Sequence, residues 1–254
     1  MSSRSVRVFI GLPCGELARY SSFWQSYRDL DLTGIEILDG QSQGLYIDYQ
    51  QNSCIRKMRE AEEKFGQFDY FWLLNDDMSM PRATLQKLVA ANKDIVVPIM
   101  LLHDLPFDTL FYDYRQEDGL YHHKYLEPGE RGLTRGLAAG GGGMLIKREV
   151  FDAFEDPWWQ THWDFPTKEN PGKGHPTRST EDFDFCRKAE ESGFEVWCDL
   201  DCPVGHTTIF TVWPIRQPDG TWTTGIERRG KFIIIPAAIN PVTHTQNELD
   251  VQYK

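Results

Sequence analysis

The sequence lacks any run of about 18 apolar residues, the length that a membrane-spanning helix requires. Residues 1–7 lead into a strand-like segment, residues 6–10, without the apolar region of a secretory signal. The chain has only five cysteines, an odd number, so we expect reduced thiols rather than a disulfide framework. These absences predict a cytoplasmic protein without membrane insertion, in the host cytoplasm if the chain is viral.

Positive charge is also scarce, because 27 lysines and arginines face 38 aspartates and glutamates, a net charge of −11. Such an excess repels phosphates at long range, which disfavours a broad nucleic-acid-binding surface. The negative net charge does not exclude a local basic groove or a phosphate that is bound through a metal ion. The 254 residues, 40% of them hydrophobic, suffice for one large globular domain or two small ones.

Two common nucleotide-binding motifs are missing from the glycine run at residues 140–143. No Gly-Lys-Ser/Thr follows it, and Leu145 stands where Gly-x-Gly-x-x-Gly requires glycine. The run still removes four consecutive side chains, so a bound substrate can touch the backbone at Gly141 and Gly142. A flexible connection is the alternative interpretation.

The most informative segment is an apolar run, residues 70–74, that ends abruptly in Asn75, Asp76 and Asp77. The run predicts a strand covered on both faces, and Pro81 predicts the first residue of the next helix. The acidic turn then lies at the carboxyl end of a buried strand, where open α/β sheets bind ligands. Its oxygen atoms suit Mg²⁺ or Mn²⁺, although such residues also form ordinary turns and helix caps.

Strand-like and helix-like patterns alternate from residue 6 to residue 102, which predicts an α/β sandwich with a largely parallel sheet. Beyond residue 103 we expect short strands, a long irregular loop at residues 157–179 and a hairpin turning at residues 218–221. The polar tail from residue 243 is expected to hang loose or dock on the surface.

Further candidates for chemistry follow later in the chain. Asp182 is a candidate general base, with Glu181 beside it, although Ser179 and Asp182 also fit a capping box. His206 is a candidate metal ligand on a glycine turn. Zinc is an alternative, with a ligand set drawn from Cys186, Cys198, Cys202 and His206.

Aromatic and basic residues of the long loop form a candidate acceptor surface. Their flat rings can stack on sugars or bases, although a hydrophobic anchor for the loop explains them equally well. The aromatic members are Trp158, Trp159, His162, Trp163 and Phe165, and the basic ones are Lys168, Lys173, His175 and Arg178.

Four segments in order resemble the GT-A glycosyltransferases that use nucleotide sugars. They are residues 71–81, 140–151, 180–186 and 204–206, which together place the resemblance over about residues 6–210. The resemblance implies a GT-A (Rossmann-like) α/β/α sandwich over residues 1–210, with residues 211–254 as a C-terminal hairpin extension packed on the same domain.

The resemblance also implies site roles. The segment from Asn75 to Asp77 is similar to the Asp-x-Asp motif of that family, with asparagine in the first position. Asp77 would hold a Mn²⁺ or Mg²⁺ ion that bridges the donor diphosphate, and Asp76 would lie near the ribose or sugar. His206 is similar to the C-terminal metal histidine of the family.

The remaining implied roles concern the base and the nucleotide. Asp182 is similar to the base of inverting members, in an x-Glu-Asp motif with Glu181. Leu12 and Pro13 fall where the first-strand loop meets the nucleotide base, and Arg56 is a candidate nucleotide contact.

The implied activity is transfer of a sugar from a UDP- or GDP-linked donor to an acceptor hydroxyl with inversion, dependent on a metal. The acceptor stays open among a glycan, a protein, a small molecule and a hydroxymethylated base in viral DNA. Two alternatives are a catalytically silent glycan-binding module with this fold and a nucleotidyltransferase.

Overall fold

A computed structural model describes residues 4–14, 20–44, 46–103, 107–115, 121–124, 126–163, 176–209, 211–216, 218, 222–228 and 231–238. The described helices are α1 (Ser21–Arg28), α2 (Ile47–Phe65), α3 (Thr84–Ala91) and α4 (Glu181–Glu191), with a 3₁₀ helix at Arg148–Asp152. The described strands are β1 (Val6–Cys14), β2 (Ile35–Gln43), β3 (Tyr70–Leu73), β4 (Met78–Ser79), β5 (Ile95–Ile99), β6 (Phe111–Arg115), β7 (Tyr121–His123), β8 (Leu133–Gly136), β9 (Ala138–Ala139), β10 (Leu145–Lys147), β11 (His162–Trp163), β12 (Pro176–Ser179), β13 (Val196–Pro203), β14 (Gly205–His206), β15 (Thr211–Arg216), β16 (Trp222–Arg228) and β17 (Lys231–Ala238).

A seven-stranded sheet, in the order β2-β1-β3-β10-β5-β13-β8, forms the centre of the protein. Strands β2, β1, β3, β5 and β13 run in one direction, while β10 and β8 run against their neighbours. The predicted mixed α/β architecture with a mostly parallel sheet is therefore confirmed.

The sheet is buried because its middle strands carry apolar side chains on both faces. All four residues of β3 are buried, as the unbroken run of Tyr, Phe, Trp and Leu predicts. The N–H of Leu74 donates to the carbonyl of Gly11 at 2.9 Å, so β1 and β3 end at the same edge of the sheet. Gly11 is required there, because a Cβ would lie 2.3 Å from the Phe71 ring.

Helix α2 packs on β1 through the stripe that its sequence predicts. Ile55 and Met58 are fully buried, whereas Phe65 at the last turn is 62% exposed. Gly66 ends the helix with a φ of +81°, a conformation that favours glycine.

Two helix starts differ from the prediction. Helix α3 begins at Thr84 rather than Pro81, and Pro81 lies in the preceding turn, where its carbonyl accepts from the Thr84 N–H at 3.0 Å. The N-cap residue of helix α4 is Thr180, not Ser179, and its side chain forms no capping hydrogen bond to the first turn. The capping box predicted for Ser179 and Asp182 is therefore wrong.

Trp158 and Trp159 belong to the core, which corrects their assignment to an acceptor surface. Trp159 is fully buried and stacks on Phe185 of α4 with ring centroids 4.5 Å apart. Asn52 of α2 holds the Trp159 backbone from both sides, accepting from its N–H at 3.1 Å and donating to its carbonyl at 2.7 Å. These two tryptophans anchor the start of the long loop.

The rest of the described loop is the short pair β11-β12, which the sequence pattern does not predict. Phe165, Lys168, Lys173 and His175, the side chains of Trp163 and Arg178, and the tail from residue 243 lie outside the described residues. The predicted hairpin is confirmed as part of a three-stranded antiparallel sheet, β15-β16-β17. The domain boundary at residue 210 stays a prediction.

Among the helices that the structure describes, none combines the length and the apolar character needed to cross a membrane.

We expect Trp159→Ala to lower the free energy of unfolding by about 3–5 kcal/mol, because it removes a fully buried indole and leaves a cavity. Chemical denaturation followed by circular dichroism measures the change. Tyr49→Ala is the matched control, because Tyr49 is 61% exposed on α2. Equal losses in the two variants would contradict the assignment of Trp159 to the core.

Candidate functional site

The acidic turn lies at the carboxyl edge of the central sheet, as predicted. Asn75, Asp76 and Asp77 follow β3 after one residue, Leu74, and all three side chains are half-buried. The next two residues form β4, which pairs with β14 rather than with the central sheet. The turn is thus fixed at both ends by backbone pairing.

The β4-β14 pairing brings His206 to Asp77 across a sequence separation of 129 residues. His206 lies opposite Met78 in the register, and the Thr207 N–H donates to the Asp77 carbonyl at 2.7 Å. As a result, His206 Nε2 lies 3.1 Å from Asp77 Oδ2. The structure therefore places the two predicted metal ligands side by side.

His103 is a third member of this cluster, and the sequence interpretation did not include it. Its Nδ1 lies 3.2 Å from His206 Nε2. Asp77, His103 and His206 each offer one ligand atom, and these three atoms lie within 4.8 Å of one another. The available signal was the position of His103 just after a predicted buried strand, at the same edge as the acidic turn.

The hydrogen bonds of His206 show why this cluster suits a cation. Its Nδ1 lies 2.9 Å from the carbonyl of Leu101, which only accepts, so Nδ1 carries the proton. In a neutral His206 the lone pair of Nε2 then points toward Asp77 Oδ2. Nε2 and Oδ2 are both acceptors, so at 3.1 Å they repel each other unless a proton or a cation lies between them. Asp77 Oδ1 is buried without a hydrogen-bond partner among the described residues, as is Asn75 Oδ1.

The glycine run is a packed turn rather than a flexible connection. The Gly143 N–H donates to Leu73 O at 2.8 Å, and the Trp72 indole donates to Gly143 O at 2.9 Å. A Cβ on Gly141 would lie 2.5 Å from Asp182 Oδ1, and a Cβ on Gly142 would lie 3.4 Å from Asn75 Nδ2. These two glycines therefore separate Asp182 from the acidic turn by backbone alone.

Asp182 is a half-buried carboxylate with two donors among the described residues. The Gly141 N–H donates to its Oδ2 at 2.9 Å, and Gln51 Nε2 lies 3.4 Å from its Oδ1. Burial raises the pKa of Asp182 to about 6, although both donors favour the ionised form and oppose the shift. A carboxylate of that pKa takes up and gives up protons close to neutrality.

Glu181 lies beside Asp182 at the start of α4. Burial raises its pKa to about 8, and the negative charges of Asp182 and Asp48 add to the shift. Glu181 is therefore neutral when Asp182 first ionises, which limits the repulsion between the two neighbouring acids.

Gln51 is a second residue that the sequence interpretation did not include. It is 1% exposed on α2, its amide faces Asp182, and its Oε1 has no hydrogen-bond partner among the described residues. The pattern of α2 gives no signal for it, because a glutamine in a polar stretch reads as a solvent-facing residue.

Of the three predicted nucleotide contacts, two lie at the edge of the sheet that carries the acidic turn and one does not. Leu12 and Pro13 are buried near the end of β1, at the edge that carries the acidic turn. Arg56 forms a two-fold ion pair with Asp156, at 2.8 and 2.9 Å, and none of its described contacts reaches the acidic turn. Their roles toward a nucleotide stay predictions.

The zinc alternative finds no support among the described residues. All five cysteines are buried and reduced, and none joins the Asp77, His103 and His206 group. Burial raises the pKa of Cys186 to about 12 and that of Cys202 to about 11, so both thiols stay protonated.

No protein-family model matches the sequence, and no curated protein matches it. Among solved structures, A197 from STIV is similar over 94% of this chain and 98% of its own, at 16% identity and a TM-score of 0.51. GalNAc-T7, crystallised with UDP, GalNAc and Mn²⁺, is similar over 82% of this chain, at 13% identity and a TM-score of 0.51. The matched region is only 45% of that GalNAc-T7 chain. At these identities the likeness shows a common fold, compatible with the predicted GT-A-like sandwich.

Proposed function

We propose that this protein is a metal-dependent glycosyltransferase that moves a sugar from a nucleoside-diphosphate sugar to an acceptor hydroxyl with inversion. The observation that carries the proposal is one sheet edge with two complementary groups. One group is the cluster of Asp77, His103 and His206, and the other is the half-buried carboxylate of Asp182, the candidate base. The likeness in fold to GalNAc-T7, a structure that contains UDP, GalNAc and Mn²⁺, supports the same reading.

The residues present fit a divalent ion of the Mn²⁺ or Mg²⁺ class. Asp77, His103 and His206 would hold it, because a carboxylate oxygen and two imidazole nitrogens converge there and Asp77 Oδ1 has no other described partner. When bound, such an ion supplies charge neutralisation for the departing nucleoside diphosphate. Asn75, in the same turn as Asp77, would offer a neutral amide oxygen.

The protein groups around the ion would keep its ligands in place. The carbonyl of Leu101 fixes the ring of His206, so that Nε2 is the nitrogen that would ligate the ion. The backbone bond from Thr207 to Asp77 holds the carboxylate turn against the imidazole. The site therefore needs little rearrangement before a donor arrives.

Asp182 would accept the proton of the attacking acceptor hydroxyl. The Gly141 N–H and Gln51 fix the position of its carboxylate, so a lone pair stays directed at the acceptor. With no side chain at Gly141 or Gly142, Asp182 and Asn75 come close to the backbone of the glycine run, which holds the base near the acidic turn. Contact of a bound substrate with Gly141 and Gly142 stays a prediction. A single base on the face opposite the leaving group gives inversion.

We expect wild-type protein to bind Mn²⁺ in isothermal titration, and each of Asp77→Ala, His103→Ala and His206→Ala to weaken binding roughly tenfold or more by removing a ligand. His162→Gln is the control, because His162 bonds to Asp184 and lies outside the cluster. Unchanged affinity in the three variants would refute the assignment of the metal site.

We expect slow release of a nucleoside diphosphate when the protein is incubated with UDP- and GDP-sugars and Mn²⁺. Asp182→Asn should lower this rate by about 10²–10⁴-fold while donor affinity changes little, because the amide cannot accept the proton. Release of pyrophosphate would instead indicate a nucleotidyltransferase. No turnover of any donor, with nucleotide binding intact, would indicate a catalytically silent module.

The same variant has an expected effect on stability. The native pKa of Asp182 lies above the ordinary value of 3.8, at about 6, so ionised Asp182 destabilises the native state as pH rises through 6. Asp182→Asn should therefore be more stable than wild type at pH 8 by about 1–3 kcal/mol. Thermal unfolding across pH should show that advantage disappearing below about pH 4.

We expect Gln51→Leu to move the acidic limb of the pH–rate profile to higher pH, because Gln51 donates to the ionised form of Asp182 and holds its pKa down. The variant should also lower kcat more than it raises KM, since it disturbs the base rather than the donor. Gln50→Leu is the control: Gln50 is equally buried, but it bonds to the carbonyl of Gly44. An unshifted limb in Gln51→Leu would leave Gln51 with a structural role only.

A further inference from the structure

A polar cleft beside α1, which we name the α1 cleft, lies behind the acidic turn. It encloses about 630 Å³ and is lined by two arginines, Arg28 and Arg82, together with serine, glutamine and aspartate side chains. Its volume falls within the roughly 300–1,000 Å³ of small-molecule sites, but its lining is mostly polar. The cleft therefore suits a charged ligand rather than an apolar one.

The two arginines of the α1 cleft differ from the other arginines of the protein. The structure describes ten arginine side chains, and eight of them form ion pairs with Asp or Glu, namely Arg4, Arg7, Arg56, Arg59, Arg131, Arg135, Arg148 and Arg187. Arg28 and Arg82 form no ion pair with any described residue. In a chain of net charge −11, two guanidinium groups without a described ion pair on one cleft make an anion a suitable ligand for it.

The lining of the α1 cleft holds two arginines and one aspartate, so one positive charge is in excess there. Asp31 lies outside the lining and stays ionised. Asp29 lines the cleft without forming an ion pair with a described residue. Asp31 is engaged by Thr33, whose hydroxyl and N–H donate to Oδ1 at 2.7 and 3.0 Å. Those bonds, more than the charge of Arg82, lower the pKa of Asp31.

The α1 cleft shares a wall with the candidate active site. Ser79, two residues after Asp77, lines it, and so does Ser22. The Ser22 hydroxyl lies 3.3 Å from that of Thr207, whose N–H bonds to the Asp77 carbonyl. A ligand in the cleft is thus separated from the acidic turn by one strand.

A second cavity of about 390 Å³ adjoins the α1 cleft. It shares Gln25 and Arg28 with the cleft and adds the partly exposed ring of Trp24. A phosphate with an attached sugar or base can therefore place its anion between the arginines and its ring against the indole.

We propose that the α1 cleft binds a phosphate group carried by the acceptor substrate. The assignment of this ligand as the acceptor rests on the proposed function. Phosphate offers several strong acceptor oxygens, which two guanidinium forks and serine hydroxyls can bind together. Under the proposed function the donor diphosphate would lie with Asp77, His103 and His206, none of which lines the α1 cleft. The overall negative charge favours a single phosphate ester over a long polyanion.

Titration with inorganic phosphate at constant ionic strength tests the site. We expect saturable binding to wild type and at least a tenfold loss in Arg28→Gln/Arg82→Gln. Arg131→Gln is the matched control, because Arg131 is 79% exposed and pairs with Asp201 outside the cleft. Binding that is absent, or equal in all three proteins, would overturn the proposal.

A second titration with oligothymidylate separates the two sources of phosphate. Weaker binding than a phosphate monoester such as glucose 6-phosphate supports a small acceptor. Tighter binding, with the same dependence on Arg28 and Arg82, overturns the preference for a single ester and makes a nucleic acid the source. Donor hydrolysis is measured on the same variants: if it stays at the wild-type rate while phosphate affinity falls, the two proposals are tested independently.

Discussion

The whole candidate site depends on one short piece of backbone pairing, between β4 and β14. Two residues on each side, and the bond from Thr207 to Asp77, bring an imidazole to a carboxylate from the far end of the chain. Without that pairing the acidic turn would be an ordinary connection between a strand and a helix. The register matters more than the strength of the pairing, because a slip of one residue would turn His206 to the other face.

The second half of the site is built at a cost to stability. Asp182 and Glu181 are adjacent, half-buried acids, and both have raised pKa values. Among the residues that the structure describes, two donors, from Gly141 and Gln51, compensate Asp182. Acids with pKa values shifted in this way are more frequent at functional sites than elsewhere.

The sequence predicts the fold from its strongest patterns. The apolar run of β3, the stripe of α2 and the glycine after α2 all appear as expected, because burial and backbone geometry act locally there. The site residues that the sequence predicts, Asp77, Asp182 and His206, each lie in a short local motif. His103 and Gln51 are missed because their roles come from contacts across 103 and 131 residues, which no local pattern encodes. Trp158 and Trp159 show the reverse: aromatic side chains suit both a sugar-binding wall and a core, and packing on α4 decides between them.

Two neighbouring residues of α2 form hydrogen bonds with two different parts of the protein. Gln51 donates to the carboxylate of Asp182, while Asn52 bonds to the backbone N–H and carbonyl of Trp159 at the start of the long loop. A small rotation of this one helix therefore moves Asp182 and the start of the long loop together. A ligand that displaces the backbone at Trp159 would therefore also alter, through the same helix, the alignment of Asp182.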